Sequence, residues 1–98
     1  MRGAELVHRR VVLAPDAFAE IVIWALPRRL AGSVHSFKYR LAYVVGTDCV
    51  LRYDNESGKG DHRHYGKAEM VYAFAGPDKL MADFFADVTR WNHENSRS

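Results

Sequence analysis

Between His35 and Val45 the chain alternates in the way a half-buried strand does. The odd positions are His35, Phe37, Tyr39, Leu41, Tyr43 and Val45, while the even ones begin Ser36, Lys38 and Arg40. Successive side chains leave a strand on opposite faces, so one face here is apolar and the other carries two cations. Gly46-Thr47-Asp48 then reads as a hairpin turn. Cys49 to Asp54 returns with Cys49, Leu51 and Tyr53 on one parity and Val50, Arg52 and Asp54 on the other. A two-residue turn in unbroken register would set Arg52 opposite Leu41 and drive it into the apolar face. A three-residue turn keeps parity, and it is the expectation, because it gathers Lys38, Arg40, Arg52 and Asp54 on one face.

The neighbouring segments extend this sheet. Residues 4–13 are rich in Val and Leu and end at Pro15-Asp16, a turn signal, and residues 18–26 contain Ile21, Val22, Ile23 and Trp24 in succession before Pro27 closes them. Further strands are expected at 35–45, 49–54 and 69–74. Gly76-Pro77-Asp78 opens a helix, since proline is tolerated at the first helical position and an acid suits the positive end of the dipole. Leu80, Met81, Phe84, Phe85, Val88 and Trp91 recur at helical spacing over 77–91. The expected fold class is α+β: an antiparallel meander of four or five strands packed on one face by a C-terminal helix.

With 98 residues, 48% of them apolar, the chain suits one domain spanning 1–98. No secretory signal or membrane-length apolar run is present, which predicts a cytoplasmic protein without a membrane partner. Cys49 is the only cysteine, so no internal disulfide forms, and its apolar surroundings predict burial. The net charge of +2 is unevenly spread: Arg28 to Lys67 hold eight Lys and Arg against four acids. A basic middle suits a polyanion such as RNA, although ordinary solvated faces carry similar clusters.

The polar stretch Arg52 to Gly66 reads as a loop, within which His62 to Tyr65 could extend or precede the strand at 69–74, and it carries the chemistry-bearing residues. His62 and His64 point the same way if extended, and two imidazoles near a phosphate can serve as general base and general acid. Asp54 or Asp61 would orient them. Lys38, Arg40, Arg52, Lys59 and Arg63 are the candidate phosphate or RNA contacts, with Arg63 directed away from the histidine side. Asp54, Asp61, His62, His64 and His35 could also ligate a metal, but their spacing matches no standard finger, and neither a metal nor a cofactor is assigned. Gly58-Lys59-Gly60 lacks the spacing of a phosphate-binding Walker loop. Phe37, Tyr39 and Tyr43 lie opposite the cations and read as core, whereas Trp24 and His8 fit either core or groove.

Phe18 to Trp24, Phe37 to Val45 and Leu51 to His64 together resemble the TumE family of toxins from type II toxin–antitoxin systems, and Leu80 to Trp91 resembles that family's ending. The most specific part is Arg-Tyr-Asp-Asn followed by Gly-Lys-Gly-Asp-His-Arg-His, residues 52–55 and 58–64. The resemblance implies a growth inhibitor paired with a helix-turn-helix antitoxin. The residues add metal-independent RNA cleavage as the expected activity. Two alternatives stay open: a non-catalytic inhibitor that docks on RNA or protein through its basic face, and a metal-dependent or nucleotide-transferring enzyme. Unpaired strand edges also make a homodimer an expectation.

Overall fold

A computed structural model of the chain describes residues 3–97. Six strands follow one another: β1 (Ala4–Ala14), β2 (Ala17–Ala25), β3 (Phe37–Val45), β4 (Asp48–Glu56), β5 (Gly60–Tyr65) and β6 (Ala68–Val71). They form a single antiparallel sheet in sequence order, and α1 (Pro77–Glu94) follows. The α+β meander with its C-terminal helix is as expected, but the strand count of four or five is corrected to six. The stretch expected as a loop is mostly a hairpin of β4 and β5. Its polar character hid it, because β5 turns polar side chains to both faces and so lacks the apolar alternation that marks a strand. The last strand is also shorter than expected, ending at Val71 rather than residue 74.

The β3–β4 hairpin reaches the expected parity by another route. Val45 pairs with Asp48 across a two-residue turn of Gly46 and Thr47, and Val44 pairs with Cys49, but Tyr43 pairs with Leu51. Val50 is therefore the extra residue of a β-bulge, which restores the alternation that a plain two-residue turn would have inverted. Gly46, at φ 62°, supplies the left-handed backbone of that turn. Cys49, next to the turn, is exposed, which corrects the expectation of burial.

One face of the sheet is closed by α1. Ala17, Ala19, Ile21 and Ile23 of β2, Tyr39, Leu41 and Tyr43 of β3, and Leu51 and Tyr53 of β4 are buried with Leu80, Phe84 and Val88 of the helix. Pro77 opens the helix, and Asp78 lies in its first turn, where the dipole favours an acid. The helix runs three residues past the expected end. Phe84 meets Tyr53 edge-on at 5.9 Å, and Trp91 meets Tyr43 in the same way at 5.9 Å. The opposite face has no covering layer among the described residues. On it, β2 places Phe18, Glu20, Val22 and Trp24, all half-buried.

Candidate functional site

The register aligns side chains on the open face into rows. One row reads Val22, Arg40, Asp54, His62 and Val71 from β2 to β6, and the next reads Glu20, Ala42, Arg52, His64 and Glu69. A third begins with Trp24 opposite Lys38. Adjacent strands lie about 4.8 Å apart, so neighbours in a row are close enough to act on one bound group. A depression of about 430 Å³ opens over the β2–β4 part of these rows, lined by Trp24, Lys38, Arg40, Arg52, Asp54 and Glu56 among others, with His62 and His64 on the neighbouring β5 outside its lining.

Asn55 shapes the depression from below. The β3–β4 pairing ends at Arg40 and Asp54, and beyond it the Asn55 side chain takes the place of the ladder. Its Oδ1 accepts from the Tyr39 N–H at 3.0 Å and its Nδ2 donates to the Phe37 carbonyl at 2.7 Å. The side chain is 1% exposed, and so fills the core between the two strands. The Asn55 main-chain oxygen instead accepts from the Lys38 ammonium. An asparagine thus separates the strands and fixes the position of a groove cation.

The groove charges are partly paired. Arg52 Nε lies 3.1 Å from Asp54 Oδ2, yet this buried N–H has no hydrogen bond among the described residues, so the pair is a charge contact without an aligned bond. Arg52 Nη2 lies 3.1 Å from His64 Nε2. A guanidinium can only donate, so that imidazole nitrogen accepts, leaving Nδ1 to carry the proton 3.5 Å from Glu69. His64 Nε2 is also 3.9 Å from Asp54 Oδ1. His62 stands half-buried directly across from Asp54.

Lys38, Arg40, Arg52, Asp54, His62 and His64 therefore share one face, whereas the other sequence candidates do not join them. Asp61 turns to the helix side, where it accepts from the Tyr39 hydroxyl at 2.6 Å and from His35 Nε2 at 2.7 Å. The Phe37 N–H bonds His35 Nδ1 at 3.1 Å, which fixes the tautomer that donates to Asp61. Asp61 does orient an imidazole, but that of His35, which stacks on Phe74 at 4.1 Å. Burial, then the bond to Asp61, push the Tyr39 hydroxyl well above the usual phenol range.

Arg63 also faces the helix, bonding Asp87 through Nε at 2.6 Å and Nη2 at 3.0 Å. The Tyr53 hydroxyl shares that carboxylate at 2.6 Å, so Arg63 is a bridge between β5 and α1. The bonds to Asp87 hold the Arg63 pKa above its ordinary value. Lys59 is exposed in the β4–β5 turn and lies 3.4 Å from Glu56. The five donors considered for a metal are split between two faces, with His35 and Asp61 on one and Asp54, His62 and His64 on the other.

Sequence reasoning missed Asn55 and Asp87 and left Trp24 undecided. Asn55 has the parity of Leu51 and Tyr53, so a polar side chain on the buried side was visible there. Asp87 carried a weaker signal, since it lies one turn from Phe84 and next to Val88 on the helix.

Among the described residues no helix is long and apolar enough to cross a membrane. No curated protein and no solved structure matches the chain. A family model described as Toxin TumE matches residues 2–92, nearly the whole length, and takes in the groove strands and most of the helix. The chain therefore belongs to the TumE toxin family.

Proposed function

We propose that this chain is the growth-inhibiting partner of a helix-turn-helix antitoxin in the cytoplasm, and that it acts by cleaving RNA at the open sheet face without a metal ion. Support comes chiefly from the register, which sets Arg40 and Arg52 in rows with Asp54, His62 and His64 and puts Lys38 beside them. Such cleavage uses the substrate's own 2′-hydroxyl as nucleophile. The protein must take one proton, stabilise the charge of the phosphorane and return one proton to the leaving oxygen.

The Nε2 lone pair of His64 is held by Arg52. An entering phosphate draws Arg52 away, and that nitrogen is freed to take the 2′-hydroxyl proton. A P–O2′ bond forms as the P–O5′ bond breaks, and His62, across from Asp54, supplies the proton to the 5′-oxygen. The products are a 2′,3′-cyclic phosphate and a 5′-hydroxyl. Lys38, Arg40 and Arg52 hold the phosphate.

A non-catalytic inhibitor is the second reading, favoured by the contacts that already tie Lys38 to Asn55 and Arg52 to Asp54 and His64. Fixed cations of this kind suit docking as well as turnover. The deciding experiment expresses His64→Ala in cells and checks its fold by circular dichroism. Cleavage predicts a folded variant that no longer arrests growth. A folded His64→Ala variant that still arrests growth contradicts the role given to that residue.

A further inference from the structure

Trp24 has no part in the proton transfers, yet it forms a wall of the groove. It sits near the end of β2 with Glu5 across from it on one side and Lys38 on the other. The other aromatic of this face in β2, Phe18, is capped by the Arg10 guanidinium at 3.8 Å. Among the described residues no ring and no cation covers Trp24, and the tyrosines of β3 and β4 face the helix. A half-buried indole therefore lines the groove beside Lys38, Arg40 and Arg52.

Resting on the RNA-binding function above, we propose that Trp24 is a base-stacking platform, so that the groove takes single-stranded RNA with one base laid flat against the indole. Base–aromatic stacking beside a cationic track is how proteins hold single strands, and a paired base offers no free face for it. The spacing suits the purpose. Arg40 pairs with Val22, two residues from Trp24 along β2, or about 7 Å at the strand rise. A base attached to a nucleotide whose phosphate sits on Arg40 is within reach of the indole.

The carboxylates fit the same occupant. Asp54 and Glu56 line the depression with the three cations. A surface that met only phosphates would be weakened by them, whereas the amino groups of a base edge are hydrogen-bond donors that a carboxylate can accept. Stacking is tolerant of sequence but stronger for larger rings, so purines are expected at this position.

The test uses the full-length protein with 2′-O-methyl RNA decamers, whose blocked nucleophile prevents cleavage. Tryptophan fluorescence and affinity are measured with oligo-A, oligo-U and an abasic strand of the same backbone. Oligo-A is expected to bind more tightly than oligo-U and to quench the fluorescence. Trp24→Ala should lose the quenching and bind roughly five- to hundredfold more weakly. Trp24→Phe should recover most of the affinity, and the abasic strand should bind both wild type and Trp24→Ala equally weakly.

Unchanged affinity of Trp24→Ala for oligo-A overturns the platform while leaving RNA binding intact. Failure of every strand to bind wild type, together with intact cellular RNA, removes the RNA function and the platform with it. Quenching by a protein partner, with none from oligo-A, overturns the platform and reassigns the indole to a protein interface.

Discussion

Replacing Asn55 by alanine should be among the most damaging single changes outside the apolar core. The wild-type amide satisfies the Tyr39 N–H and the Phe37 carbonyl from a position 1% exposed to solvent. Truncation leaves both main-chain groups without a partner, and each such loss costs about 1–3 kcal/mol. Removing the buried amide itself returns part of this, so a net loss of about 2–4 kcal/mol is expected. Domains of this size have about 5–15 kcal/mol in total, and each kcal/mol lowers the midpoint by about 4–8 °C. The thermal midpoint followed by circular dichroism should therefore fall by roughly 8–32 °C. Asn55→Asp gives an independent check, because it keeps an acceptor for Tyr39 but sets a carboxylate against the Phe37 carbonyl. That repulsion raises the folded-state carboxyl pKa, so its deficit against wild type should shrink as the pH falls toward about 4. An Asn55→Ala loss below about 0.5 kcal/mol would show that the strands are held apart by something else.

The two other predictions concern the helix face. Tyr39, Tyr53 and Tyr72 are all pushed above the ordinary phenol range, first by burial and then by bonds to Asp61, Asp87 and Asp83 respectively. An unfolded tyrosine ionises near pH 10, so their contribution is whole below that pH and lost above it, at up to about 1.4 kcal/mol per pH unit for each. Urea midpoints should drop between about pH 9 and about pH 11, with these phenolates appearing only as the protein unfolds; tyrosines that titrate near pH 10 in the intact fold would refute the burial assigned to them. Asp87→Ala removes the carboxylate shared by Arg63 and Tyr53 and should cost about 3 kcal/mol in chemical denaturation, because it strands a partly buried guanidinium. A loss near zero would mean that water replaces the carboxylate.

The sheet could be read in the sequence where its two faces differ. Phe37 to Val45 alternates because one face meets the helix and the other does not, and the grouping of Lys38, Arg40, Arg52 and Asp54 followed from parity. The device that preserves parity could not be read, since a bulge at Val50 and a three-residue turn leave the same alternation. β5 was read mainly as a loop, with His62 to Tyr65 only a possible strand extension, because Asp61 and Arg63 face buried partners that are themselves polar. Only the fold brings Tyr39 and Asp87 to them. The opposite parity of Asp61 and His62 was already visible, and it separates their faces once the segment is known to be extended. Trp24 stayed ambiguous because Ile21 to Trp24 are apolar without a break, and its pairing with Lys38 places it on the open side.

The most direct measurement incubates purified protein with labelled cellular RNA in excess chelator beside a His62→Ala/His64→Ala variant, and determines the ends of any fragments. Catalysis by the groove predicts fragments with cyclic or 3′-phosphate ends that vanish in the double variant. Intact RNA, or fragments that persist when both histidines are gone, would contradict it.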